Sequence, residues 1–63
     1  MITAYNITRE DVYEARDARL VDVRTISDAL ATLAGACVDD DGATGDAALE
    51  AVAEALNAIH EGG

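Results

Sequence analysis

The sequence predicts an all-α protein: an antiparallel helical hairpin, with a long helix over about residues 9–36 and a shorter one over about residues 46–60. Three observations predict it. Apolar residues recur in steps of three and four at Val23, Ile26, Leu30, Leu33 and Cys37, and again at Leu49, Val52, Leu56 and Ile59, which is the a/d spacing of a helical seam. Between the two runs lies VDDDGATG, residues 38–45, where clustered aspartates and two glycines supply turn chemistry. The chain also carries 14 alanines and no proline, a composition suited to closely packed helices.

Residues 1–7, MITAYNI, alternate weakly and read as a short strand or an extended N-terminal arm. Helix one, residues 8–37 with its cap, begins at Thr8. This residue has the character of an N-cap, with Asp11 three positions on as the partner of a capping box. Glu10 and Asp11 complement the helix dipole in the first turn, and Ile7 with Val12 have the spacing of a hydrophobic staple. Traced backward from Val23, the seam reaches Arg19, Arg16 and Val12, so its first half is interrupted by two cations. A rival reading takes LVDVRTI, residues 20–26, as a strand, for it alternates and is rich in β-branched residues. Ser27 then caps a separate helix, and a second strand near 2–7 gives a small α+β domain.

The loop over 38–45 leads to helix two, residues 46–61, with Thr44 or Asp46 as its cap and Gly62 and Gly63 at its end. Alanines flank both seams, at Ala29, Ala34 and Ala36 and at Ala48, Ala53 and Ala55, so the helices can approach closely. The arms do not match in length: helix one spans roughly 40 Å and helix two about 24 Å at the helical rise. The unmatched half of helix one carries Val12, Tyr13, Leu20 and Val21. A second copy would cover them, which predicts a homodimeric four-helix bundle. The composition favours the same outcome. A chain of 63 residues with a single cysteine forms no internal disulfide and buries too little surface to be robust alone.

The net charge is −9, from 13 acids against four arginines and no lysine. Such a chain is repelled by nucleic acid and by anionic membranes, and it is steered toward cationic partners. No apolar run is long enough to span a bilayer, and no charged start with an apolar core suggests a signal peptide. The expected location is the cytoplasm. No phosphate loop, nucleophile elbow or metal-ligand motif is present, so neither enzymatic activity nor a cofactor is expected. His60 reads as a dipole partner near a helix C-terminus, and Cys37 as a small apolar side chain on the seam. Asp39, Asp41 and Glu50 fall at positions 1, 3 and 12 of a calcium loop. Ala43 and Thr44 then occupy positions that require an oxygen ligand and a glycine, and the pattern fails.

Two surfaces are candidate binding sites. Asp46, Glu50 and Glu54 follow at i, i+4 on helix two, and Glu61 continues near that face, with no lysine or arginine on the helix. Like charges so spaced oppose one another by a few tenths of a kcal/mol. The row reads either as a solubility surface or as a docking face for a basic partner. On helix one, Arg19–Asp22 and Arg24–Asp28 have the spacing of local pairs, whereas Arg16 has no such partner. Either Arg16 meets an acid across the dimer interface, or Tyr13, Arg16, Arg19 and Leu20 form a second candidate recognition patch, for arginine and tyrosine commonly anchor interfaces.

The size, the acid excess without lysine and the alanine-rich hairpin resemble the small inhibitors encoded by bacteriophages and prophages, anti-CRISPR proteins among them. The segment VYEARDARLVDVRTISDALATL is similar to short hairpin proteins of proteobacteria and their prophages. The resemblance implies a mechanism: cover a functional surface of a host protein, often a basic one that binds nucleic acid. It assigns no role to an individual residue.

Overall fold

The computed structural model describes residues 1–35 and 43–62, with side chains of the second stretch described from residue 46. The seam position Cys37, the run Asp39–Asp41 with its calcium-loop reading, and the end of the predicted helix one therefore lie outside the described residues. Among the described residues there are three helices: α1, Arg9–Asp17; α2, Val23–Leu33; and α3, Ala43–Gly62. The all-α class holds. The α+β alternative does not, because no strand forms among the described residues, either near 2–7 or near 20–26.

α1 begins as expected. The Thr8 side chain accepts from the Asp11 amide at 3.2 Å, and the Asp11 carboxylate accepts from the Thr8 amide at 2.9 Å. This reciprocal capping box satisfies two amides that the first helical turn leaves open. Ile7 and Val12 are both buried in the core, consistent with the staple.

The long helix over 9–36 is corrected: the chain breaks after Asp17 and starts again at Val23. The Arg19 amide donates to the Arg16 carbonyl and the Leu20 amide to the Ala15 carbonyl, each at 3.0 Å. These two bonds define a Schellman closure, with Arg19 in the left-handed position at φ 57°. The seam explains the break. A continuous helix would carry Arg16 and Arg19 along the buried stripe between Val12 and Ile26, where an unpaired cation is costly. With the break, both arginines are exposed, and Leu20 and Val21 pack against the core.

Asp22 caps α2, its carboxylate accepting from the Thr25 amide at 2.7 Å. Ser27, the expected cap in the rival reading, lies inside the helix. α2 closes at Gly35, which takes φ 84° and donates to the Thr32 carbonyl at 3.0 Å. α3 starts at Ala43, three residues before the expected Asp46, so Asp46 occupies the first turn instead of the cap.

α2 packs principally against α3, and α1 lies against both. Val12, Val52 and Leu56 are fully buried at the centre, joined by Ile26, Leu49 and the small residues Ala15, Ala29, Ala48 and Ala53. Leu30 and Leu33 pack on this cluster while half-buried. Two seam assignments are corrected. Val23 is 81% exposed and Ile59 is 45% exposed, because the new helix start rotates Val23 outward and Ile59 lies in the final turns of α3. The length mismatch that motivated a second copy also disappears, since α1 folds back and buries Val12 within one chain.

Two outcomes follow for urea denaturation. Arg19→Gly relieves the left-handed strain and raises stability by up to about 1 kcal/mol, whereas the β-branched Arg19→Val lowers it by about 1 kcal/mol or more. Leu56→Ala costs about 2–5 kcal/mol, while Val23→Ala changes stability by less than about 0.5 kcal/mol. A large loss at Val23 would restore it to a buried seam.

Candidate interaction surface

The residues ahead of α1 are folded into a turn. The Asn6 amide donates to the Thr3 carbonyl at 3.1 Å, which closes residues 3–6. The Asn6 side chain accepts from the Thr3 amide at 2.7 Å and donates to the Met1 carbonyl at 3.2 Å. Asparagine suits such turns because its short amide mimics a backbone partner. This turn is then tied to α3. Asn57 accepts from the Ile2 amide at 2.8 Å through Oδ1 and donates from Nδ2 to the Ile2 carbonyl. One side-chain amide thus satisfies both backbone groups of a residue far away in sequence. Tyr5 stands at the tip of the turn, fully exposed, with exposed Met1 nearby.

Between this turn and α3 runs an open groove of about 280 Å³. Residues 1–5 form one wall; Glu50, Ala53, Glu54 and Asn57 form the other. The predicted acidic row is therefore placed as follows. Asp46, Glu50, Glu54 and Glu61 are all exposed, and Glu50 and Glu54 line the groove. Among the described residues the one ion pair is Arg16–Asp17 at 3.2 Å, so none of the four acids pairs with a described cation. His60 is exposed in the last turn of α3, where a cation complements the helix dipole.

The second candidate patch is only partly assembled. Arg16 lies over the Tyr13 ring, 4.8 Å from its centroid, and its Nε and Nη2 both reach Asp17 Oδ1 at 3.2 Å. Arg16 is thus engaged within its own helix, against the expectation that it lacks a local partner. Leu20 is turned onto the core and leaves the patch. Arg19 and Arg16 instead border a hollow of about 450 Å³ with Val21, Asp22, Val23 and Ile26. The expected pairs Arg19–Asp22 and Arg24–Asp28 do not form among the described residues. The helix break takes Arg19 and Asp22 out of helical register, and Asp22 turns to its cap.

That cap shifts the Asp22 carboxyl below its ordinary value of 3.8. The Thr25 side chain and amide hold the charged form, the Arg24 charge adds to them, and slight desolvation opposes. Among the described residues no polar or charged side chain is buried, and no three metal-ligating side chains gather. No described helix is long and apolar enough to cross a membrane.

The residues of this surface that sequence reasoning missed are Ile2, Asn6 and Asn57, which hold the turn in place. A signal existed for Asn57, because asparagine inside a helix is unfavourable unless its side chain has a task. Comparison of the chain with family models, with curated proteins and with solved structures gives no match.

Because the folded-state pKa of Asp22 is depressed, its stabilisation is present above the ordinary carboxylate value and is lost as the pH falls through and below it. Melting temperatures followed against pH test this. The gap between the wild type and Asp22→Ala is full at neutral pH and closes in acid. The gap between Asp22→Asn and Asp22→Ala persists, since the asparagine cap does not titrate.

Proposed function

We propose that this protein acts by binding and not by catalysis, docking the acidic face of α3 on a basic surface of a partner protein as an inhibitor or adaptor. The observation that carries the reading is the exposed row Asp46, Glu50, Glu54 and Glu61 on a helix whose sequence holds no lysine or arginine. A surface that serves solubility alone gains nothing from stacking like charges at i, i+4. A surface that meets a cationic partner gains both encounter rate and orientation.

A net charge of −9 disfavours direct contact with nucleic acid, whose phosphates are bound by neutralising them. The same charge suits competition with nucleic acid for a basic site. The resemblance to small phage-encoded inhibitors, including anti-CRISPR proteins, points to the same role, carried out in the cytoplasm of a bacterial host.

A second reading, a homodimeric helical module, is favoured by the exposed Val23 and Ile59, apolar surface that another copy would cover. Its interface would be insensitive to salt.

The test is capture of the partner from a bacterial lysate, followed by titration of the purified pair. Affinity falls about tenfold or more when salt is raised from about 50 to about 300 mM, and by a similar factor in the Glu50→Lys, Glu54→Lys double variant. Affinity indifferent to both changes rejects acidic docking. A dimer in sedimentation that survives both favours the second reading.

A further inference from the structure

We propose that the groove between the N-terminal turn and α3 is the seat of one arginine or lysine side chain from a basic segment of the partner. Its aliphatic stem lies along the turn beside Tyr5, and its charged head lies between Glu50 and Glu54. This deepens the acidic-docking reading and rests on it.

Two carboxylates one turn apart on an exposed helix are ordinarily a solvated edge. Here a wall without charged side chains, with Met1, Ile2, Ala4 and Tyr5 in it, stands opposite them. Residues 1–7 carry no charged side chain, and the part that faces α3 lines the groove together with Ala53. Tyr5 is 101% exposed and Met1 95% exposed, so the largest apolar side chains of this wall have no cover among the described residues. The groove has no side-chain cation of its own. Carboxylates on one side and an exposed aromatic on the other complement a long cationic side chain in both of its parts. An acidic occupant would be repelled by the carboxylates, and a purely aliphatic one would leave them without a partner.

The wall is also held in place before binding. Asn57 fixes both backbone groups of Ile2, and Asn6 closes the turn that carries Tyr5. Ordering costs on association are smaller when the binding elements are already positioned.

The experiment uses the intact chain, labelled with ¹⁵N and titrated with a short blocked peptide holding two arginines, against the same peptide with citrulline in their place. Saturable amide shifts are expected at residues 2–5 and at Glu50, Ala53, Glu54 and Asn57, with the arginine peptide only. Tyr5→Ala, a fully exposed position that leaves the fold intact, weakens binding about fivefold. Glu50→Gln with Glu54→Gln weakens it about tenfold or more, and Asp46→Asn, outside the groove, weakens it least. Asn57→Ala weakens it by releasing the wall, and if that variant unfolds, Tyr5→Ala alone decides.

Shifts spread evenly over the acids of α1, α2 and α3, or no saturable shift at all, overturn the proposal. If the Glu50 and Glu54 variants matter while Tyr5→Ala does not, the groove is rejected and docking on the helix row stands. If neither matters, the acidic-docking reading falls with it.

Discussion

Arg19 sits where a left-handed backbone is required, and the fold is organised by the turn it makes. Its amide and that of Leu20 close α1 against the carbonyls of Arg16 and Ala15, and the chain then reverses onto α2. Without that reversal, α1 and α2 would be one rod, half of which has no neighbour. With it, Val12 reaches the same buried centre as Val52 and Leu56. A chain of 63 residues has little surface to bury, and folding the first helix back is how this one fills its core from three directions. The cost is a non-glycine residue in a conformation that disfavours a β-carbon. The gain is that two arginines stay in water while Leu20 and Val21 pack inward.

The same economy of length shapes the N-terminal residues. They are too few for a helix, and they meet no strand partner among the described residues. Their backbone groups are satisfied instead by side-chain amides, Asn6 within the turn and Asn57 from α3. Side-chain amides offer both a donor and an acceptor, so one asparagine does for Ile2 what a neighbouring strand would otherwise do. The result is a pinned turn with an exposed tyrosine at its tip, set beside the acidic helix.

Much of this was legible in the residues. The helical class followed from the a/d spacing of Ile26, Leu30 and Leu33 and of Leu49, Val52 and Leu56. The capping box at Thr8 was readable because its pairing is local. The break at Arg19 was not, because left-handed closures announce themselves by glycine or asparagine, as at Gly35, and here an arginine holds the place. The two cations interrupting the seam were the available clue. The cost of burying them on a continuous seam argues for a break. Val23 leaves the seam for the same reason, since a continuous periodicity carried through a break puts the next residue on the wrong face. The acidic row was plain in the sequence. The wall opposite it was not, since it depends on a contact between Ile2 and Asn57 that spacing does not reveal.

That contact joins residues 55 positions apart. It has no local substitute, and it exists only when α3 is seated on the rest of the molecule. The placement of Tyr5 beside Glu50 and Glu54 is therefore conditional on a finished fold. A nascent or partly melted chain would have the acidic helix without the aromatic counterpart, and would display charge alone. Asn57 thereby makes the juxtaposition of the N-terminal turn and α3 a property of the completed tertiary structure and not of either segment alone.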